Sequence, residues 1–127
     1  MINRIWDVTL TVADLKKSVR FYENVLGLDK KYEFKDYAGF DVGGVEIGLK
    51  TWGKREKPRE GEPCINFIVD NVDKAYCTLK EKGIDFIREP SDTQWGSRMA
   101  LLADPDGHIL QFTTVNWNAY FAACTPK

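Results

Sequence analysis

The side chains of this chain that are capable of chemistry are mainly carboxylates. Asp7 and Glu46 lie in two strand-like segments, and two carboxylates in a partly apolar site can have their pKa values pushed apart, as general acid–base catalysis requires. The alternative is that both simply line a site and bind ligand or water. The one histidine, His108, follows a turn and falls on the outward side of its strand, so it is expected to be a structural or surface histidine.

Cysteine chemistry is disfavoured by the number and spacing of the cysteines. Cys64, Cys77 and Cys124 cannot all pair within the chain, and they form neither a disulfide framework nor a zinc knuckle. A nucleophilic thiol needs a nearby base or positive charge, and no inward histidine supplies one. Cys64 and Cys77 are therefore predicted to be small buried residues in a reducing, cytoplasmic compartment.

An internal repeat positions these residues. Residues 8–25 align without gaps on residues 65–82, and each segment opens with the alternation of a half-buried strand. Asp14 and Asn71 then stand where a helix N-cap is needed. Apolar residues follow at helical spacing, and the predicted helices end at Gly27 and Gly83.

Each copy continues with three more predicted strands, so its order is β-α-β-β-β. The strands are predicted near 30–35, 37–42 and 45–51, and near 85–88, 97–103 and 108–114, with tight turns at 43–44 and 104–107. We predict an α+β fold in which two βαβββ modules form a curved mixed sheet around a cavity, with the helices on the outer side. Its parts are module 1 at 1–52, a linker at 53–63, module 2 at 64–114 and a C-terminal helix at 115–127.

Strand alternation predicts which side chains point inward toward a small-molecule cavity. The apolar set should face the helices, which leaves a mostly polar inward set: Asp7, Thr9, Glu46, Gly48, Lys50, Cys64, Asn66, Gln111 and Thr113. Aromatic residues fall in the segments expected to form the rim: Tyr32, Phe34, Tyr37, Phe40, Trp52 and Trp95. Arg98, also near the rim, either neutralises an anionic ligand or pairs with a surface carboxylate. The alternative for the whole set is a sheet face open to solvent.

The charge balance argues against two classes of partner. With 18 basic and 19 acidic side chains, the net charge of −1 gives no electrostatic case for nucleic acid or an anionic membrane. The basic cluster at 54–59 is interrupted by glutamates and is predicted to be a solvated linker. No apolar run is long enough to span a bilayer, and the N-terminus lacks the layout of a signal peptide.

The C-terminal tail is predicted to form a short helix that ends at Pro126. Trp117, Tyr120, Phe121 and Cys124 recur at helical spacing. A helix this short is not stable alone, so it must dock on its own domain, on the pocket mouth or on a partner. Docking on its own domain is the simplest expectation.

Four motifs resemble those of the vicinal oxygen chelate superfamily, which includes glyoxalase I, bleomycin resistance proteins, fosfomycin resistance enzymes and extradiol dioxygenases. They are VADLKKSVRFYENVLGL at 12–28, FDVGGVEIGL at 40–49, INFIVDNVDKA at 65–75 and WGSRMALLADPDGHILQF at 95–112. The resemblance covers nearly the whole chain. It implies paired βαβββ modules and, commonly, a homodimer.

The resemblance also implies a divalent metal held by four side chains, typically His, His or Glu, His and Glu. The matching positions here are Asp7, Gly48, Cys64 and Gln111, with Glu46 as an alternative to Gly48 if the register slips. Glycine offers no ligand, glutamine is a weak one, and a thiolate with a carboxylate suits no common catalytic metal. We therefore expect that no metal cofactor is bound.

Two functions follow from the sequence. The first is a glyoxalase/bleomycin-resistance-like protein that binds a small, partly aromatic molecule without metal. The second is an enzyme of the same superfamily, a lyase, isomerase or dioxygenase, with an atypical metal site or with acid–base chemistry by Asp7 and Glu46.

Overall fold

The computed structural model describes residues 1–53 and 63–124. The predicted linker, apart from its two end residues, lies outside the described residues, and so does the basic cluster at 54–59. The predicted helix end at Pro126 lies outside them as well. The described residues up to Gly53, together with Asp104–His108, form one compact unit, and the other described residues form a second.

Secondary structure follows the predicted β-α-β-β-β order in both modules. The first module contains β1 Asp7–Thr11, α1 Leu15–Arg20 continued by a π-helical segment Phe21–Val25, β2 Asp29–Glu33, β3 Tyr37–Val42 and β4 Val45–Lys50. The second contains β5 Ile65–Ile68, α2 Val72–Glu81, β6 Phe86–Asp92, β7 Ser97–Ala103 and β8 Ile109–Val115, and α3 Trp117–Cys124 follows it.

The strands form two four-stranded mixed sheets with the same topology. Their orders are β1-β4-β3-β2 and β5-β8-β7-β6. In each, the first and last strands of the module pair in parallel, and the remaining neighbours pair antiparallel. The α+β class and the two βαβββ modules are therefore confirmed, and each sheet is open. The cavity between the modules stays a prediction.

The predicted helix boundaries are set by side-chain caps and by glycines. The Asp14 carboxylate accepts a hydrogen bond from the Lys17 amide at 3.1 Å, and the Asn71 side chain accepts one from the Lys74 amide at 3.0 Å. Each bond satisfies an amide that has no partner within the first helical turn. Gly27 and Gly83, with φ of 75° and 88°, adopt the left-handed conformation that ends a helix at low cost.

The first helix departs from the regular form that its sequence predicts. The Leu26 amide donates to the Phe21 carbonyl at 3.0 Å, a bond across five residues that widens the last turn into a π-helix. Within this segment Phe21 and Tyr22 are both buried, at 7% and 0% exposed.

The apolar face of the first sheet packs on α1. Ile47 and Leu49 are buried there as predicted. Phe40, which was predicted at the rim, is 0% exposed, and its ring lies 6.0 Å from that of Tyr22, so the rim assignment is wrong. It alternates with Gly39 and Asp41 and therefore faces the helix. Val8 stays 39% exposed because β1 is an edge strand.

The turn Asp104–His108 belongs to the first unit, where Asp104 is its hydrogen-bonding centre. Its buried carboxylate accepts from the amides of Asp106 and His108 at 2.9 and 2.8 Å, and from the Tyr22 hydroxyl at 2.6 Å. Burial and the adjacent carboxylate raise the pKa of Tyr22 above its ordinary value, so this phenol remains a donor. The His108 ring nitrogen Nε2 lies 2.9 Å from the Thr11 carbonyl oxygen, a backbone contact of the kind a structural histidine makes.

Helix α3 docks on its own unit. The Asn116 amide donates to the Gly96 carbonyl at 2.8 Å, and the Asn116 side chain caps Ala119 at 3.1 Å. A Cβ at Gly96 would lie 2.7 Å from the Ala119 Cβ, so the helix needs glycine there. Among the described residues, no helix has both the length and the apolar character needed to cross a membrane.

Replacing Asp104 tests the turn. We expect Asp104→Ala to lower the free energy of unfolding by about 3 kcal/mol or more, since three bonds to a buried carboxylate are lost and the Tyr22 hydroxyl is left unpaired. Tyr22→Phe should cost about 1–2 kcal/mol. Urea denaturation measures both. The exposed control Asp85→Ala should stay within about 0.5 kcal/mol of wild type, and equal costs for Asp104→Ala and Asp85→Ala would contradict this account.

Candidate functional site

The predicted inward residues of the first module share one sheet face. Parallel pairing sets Asp7 beside Glu46, Thr9 beside Gly48 and Thr11 beside Lys50. Because side chains alternate along a strand, all six lie opposite the face that packs on α1. We call this surface, with its register partners on β2 and β3, the polar face of the first sheet.

Glu46 is the most enclosed charged group of this face. It is 4% exposed; its Oε2 accepts from the Tyr32 hydroxyl at 2.7 Å and from the Tyr37 hydroxyl at 3.4 Å, and its Oε1 lies 3.1 Å from the Lys31 ammonium. Burial raises the pKa of Glu46, but the hydrogen bonds from Tyr32 and Lys31 outweigh burial, and the pKa lies below its ordinary value. An ionised carboxylate with three partners suits ligand positioning better than proton transfer. Asp7 is its neighbour on the same face and accepts from the Thr9 hydroxyl at 3.2 Å.

A β-bulge brings two of these partners to Glu46. The β2–β3 register pairs Lys30 with Phe40 and then Tyr32 with Gly39, so Lys31 is an extra residue. Without the bulge, Tyr32 would fall on the helix side. The extra residue turns the Tyr32 side chain to the polar face. Sequence reasoning missed Lys31 and this bulge, because the segment DKKYE contains neither a glycine nor an apolar alternation to reveal it.

Two paired glycines make room for the tyrosine rings. Gly39 and Gly48 are direct partners across β3 and β4. A Cβ at Gly39 would lie 2.6 Å from the Tyr32 Cζ, and a Cβ at Gly48 would lie 2.9 Å from the Tyr37 Cζ and still closer to its hydroxyl. The Tyr37 phenol thus occupies the space into which a side chain at position 48 would project.

Aromatic rings continue from these tyrosines in both directions. The successive ring centroids of Phe34, Tyr32, Tyr37 and Trp52 are 5.4, 5.8 and 5.8 Å apart, and we call these four residues the aromatic row. Its two ends are open, since Phe34 is 64% and Trp52 51% exposed. The Lys50 ammonium lies 5.8 Å from the Trp52 ring centroid, so it makes a cation–π contact, while Lys31 is the ion-pair partner of Glu46.

The second sheet also has a polar face. Asn66 pairs with Gln111, and Ile68 with Thr113. The Gln111 side-chain Nε2 donates to the Thr113 hydroxyl at 3.2 Å, and that hydroxyl donates to the Asn66 side-chain Oδ1 at 2.7 Å. These three predicted residues therefore form one hydrogen-bonded chain. Trp95, also predicted as a site residue, is 53% exposed in the turn before β7.

The prediction that Cys64 and Cys77 are buried is wrong. Both are free and exposed. Cys64 precedes β5, an edge strand of the second sheet. The core-facing stripe of α2 passes through Val72 and Leu79, and Cys77 lies off that stripe on the helical wheel.

Arg98 lies on the opposite face of the second sheet from Gln111. It pairs with Thr114, whose side chain points to the face opposite that of Gln111 and Thr113 because side chains alternate along β8. Its guanidinium binds Asp73 at 2.9 and 3.1 Å and Asp92 at 3.1 Å, and these bonds raise its pKa. The pairing with surface carboxylates is thus the observed one of the two alternatives. Arg98 also borders a cavity of about 300 Å³ next to Asn116 and Ala119.

The metal expected from the resemblance does not fit the residues of this chain. In the internal repeat, Val8 corresponds to Ile65. Val8 pairs with Ile47, and Ile65 pairs with Leu110, so Ile47 corresponds to Leu110. The next residue, Gly48, is therefore the counterpart of Gln111, and Glu46 is not. Gly48 has no ligand atom, and the Tyr37 phenol fills its side-chain space. Among the described residues, no group of three or more His, Cys, Asp or Glu side chains could hold a metal ion.

Comparison with known proteins agrees with this fold. A family model described as the Glyoxalase/Bleomycin resistance protein/Dioxygenase superfamily matches residues 4–112. The fold thus defines a protein of paired βαβββ modules, and the chain belongs to the glyoxalase/bleomycin resistance protein/dioxygenase superfamily.

Named relatives span several activities. The chain is 34% identical to the uncharacterized protein YraH of Bacillus subtilis, over 85% of this chain and 95% of that protein. It is 31% identical to a probable lactoylglutathione lyase of Vibrio parahaemolyticus, over 85% of this chain and 88% of that protein. Among solved structures, TnmS3, an antibiotic binding protein from Streptomyces, superposes with a TM-score of 0.78 at 23% identity over 91% of this chain and 98% of that one.

Glu46→Gln tests the charge of the enclosed carboxylate. The folded-state pKa of Glu46 lies below its unfolded value, so its stabilising contribution is complete above about pH 4.3 and is lost as the pH falls through the folded-state pKa. At neutral pH, Glu46→Gln should lower the free energy of unfolding by about 1–3 kcal/mol. Urea denaturation from pH 7 to 3 should show the two proteins converging in acid. A difference that is constant across this range would contradict the assignment.

Gly48→Ala tests the contact with the Tyr37 phenol. The added methyl group must displace the ring, and we expect a loss of about 1–3 kcal/mol in the free energy of unfolding. In a Tyr37→Ala background the same glycine substitution should cost clearly less, because only the 3.2 Å approach to the Thr9 Oγ1 remains. Equal costs in both backgrounds would show that Tyr37 does not fill this space.

Proposed function

We propose that this chain binds a small, partly aromatic molecule and does so without the divalent metal usual in its superfamily. The observation that carries the proposal is the polar face of the first sheet. There, the Tyr32 and Tyr37 rings lie over a glycine pair beside the enclosed Glu46 carboxylate. Aromatic and apolar side chains with a few fixed polar groups are the lining that small-molecule sites use.

The polar groups are already oriented for binding. Tyr32, Tyr37 and Lys31 hold the Glu46 carboxylate in one position, and Thr113 links Gln111 to Asn66 on the second sheet. Side chains held in place before binding lose little conformational entropy when a ligand arrives. Binding roles are proposed on the same basis for Asp7, Thr9, Lys50 and Trp52.

The fold is compatible with this proposal. TnmS3, which shares it, is an antibiotic binding protein. At 23% identity that likeness concerns the fold alone, so the proposal rests on the residues of this chain. A homodimer in a reducing, cytoplasmic compartment completes the proposal, with the exposed free thiols Cys64 and Cys77 in keeping with such a compartment.

The alternative is an enzyme of the superfamily. Two relatives favour it by name, the probable lactoylglutathione lyase and a metallothiol transferase FosB of Lysinibacillus sphaericus, 29% identical over 89% of this chain. In this chain the low pKa of Glu46 makes it a weak general base, and Gly48 brings no ligand. The geometry therefore supports binding better than catalysis.

Metal content separates the two functions. We expect the protein, purified without chelator, to carry less than about 0.1 equivalents of transition metal and to change its Tm by less than about 1 °C with added Zn²⁺, Ni²⁺, Mn²⁺ or Fe²⁺. Elemental analysis and thermal unfolding make the measurement. One metal per chain that is lost in Gln111→Ala, but kept in the exposed control Gln94→Ala, would overturn the metal-independent proposal.

A further inference from the structure

We infer that the polar face of the first sheet selects a planar aromatic cation. This inference rests on the proposed binding function and adds the sign of the ligand charge. It comes from the strand register, which sets a row of carboxylates beside the aromatic row on one face.

Four acidic residues occupy one register line across the whole sheet. Asp7 pairs with Glu46, Glu46 with Asp41, and Asp41 with Asp29. We call these residues the acidic row. Neighbouring strands are about 4.8 Å apart, and like charges directly opposite each other are destabilising. A sheet that retains such a row has surplus negative charge on this face.

Among residues 1–53 and 63–124, little of that charge is neutralised by ion pairs. Lys31 pairs with Glu46 at 3.1 Å. Asp7, Asp29 and Asp41 have no Lys, Arg or His partner within the part of the chain that the structure describes. Asp29 and Asp41 are exposed and Asp7 is half-buried, so an incoming cation can reach them.

The aromatic row adjoins the acidic row through Glu46. The Tyr32 and Tyr37 hydroxyls both donate to that carboxylate, and their rings are 19° from parallel with centroids 5.8 Å apart. Donation to a carboxylate polarises a phenol and makes its ring face more negative. Such faces attract cations, and flat rings also offer stacking area to a flat ligand.

One cation already makes this kind of contact. The Lys50 ammonium lies 5.8 Å from the Trp52 ring centroid at one end of the aromatic row. Lys50 also disfavours a second cation at that end. The ligand charge is therefore expected nearer Asp41 and Asp7, with the ligand ring against Tyr32 and Tyr37.

Two planar three-ring probes of opposite charge test the inference on the full chain. Proflavine is a cation at neutral pH, and anthracene-9-carboxylate is an anion of similar size. Fluorescence titration at low salt should give a Kd for proflavine that is at least about tenfold lower than that for the anion. The preference should shrink in 0.5 M salt, because these carboxylates are exposed.

Matched variants locate the effect. Asp41→Asn should weaken proflavine binding by about threefold or more, whereas Asp85→Asn, which changes the net charge equally in the second unit, should leave it unchanged. Tyr37→Leu should weaken both probes, because it removes ring area. Urea denaturation of each variant checks that it is folded.

The outcomes separate this inference from the proposed function. Equal binding of the two probes, tighter binding of the anion, or equal effects of Asp41→Asn and Asp85→Asn would overturn the cation preference and leave aromatic binding standing. Failure of both probes to bind, with wild-type protein folded, would overturn the inference and count against the proposed aromatic ligand as well.

Discussion

The buried hydrogen bond between the Tyr22 hydroxyl and the Asp104 carboxylate is the constraint on which the first unit depends. The Tyr22 hydroxyl oxygen lies 2.6 Å from the Asp104 carboxylate. Tyr22 is 0% and Asp104 5% exposed, so water cannot replace either partner of this hydrogen bond. An unpaired buried donor or charge lowers the free energy of unfolding by more than a satisfied hydrogen bond raises it. The π-helical turn and the Asp104–His108 turn must therefore keep their relative positions. The Ser18 hydroxyl and the Ala13 amide, both bonded to Asp106, reinforce the same contact.

The polar face of the first sheet depends instead on two positions that have no side chain. Gly39 and Gly48 leave a depression that two tyrosine rings fill, and the bulge at Lys31 supplies the first of those rings. The hydroxyls then meet at Glu46, whose negative charge they and Lys31 stabilise. One carboxylate thus organises the aromatic row, and the same arrangement excludes a side-chain ligand from position 48.

The same residues therefore leave position 48 without a side-chain ligand and form the aromatic surface. A metal site needs side chains with free lone pairs that converge on a point, whereas the first module offers a covered carboxylate and ring faces. Membership of the superfamily fixes the scaffold, and the side chains of this chain decide what the scaffold holds. On this scaffold the acidic row is the basis of the proposed preference for a cationic ligand.

The sequence by itself determined the elements of this protein, because its signals for them are local. Alternation marked the strands, Asp14 and Asn71 marked the helix starts, and Gly27 and Gly83 marked their ends, since each acts on backbone groups within a few residues. Strand alternation also predicted which residues of the first module share the polar face. Strand alternation with Gly39 and Asp41 already places Phe40 on the helix side, and helical periodicity already places Cys77 off the core-facing stripe of α2. Only the tertiary structure decided that Cys64 is exposed and that Tyr32 and Lys31 meet at Glu46. Those outcomes depend on a bulge, an edge position and contacts between strands distant in the chain, which no local pattern of residue types encodes.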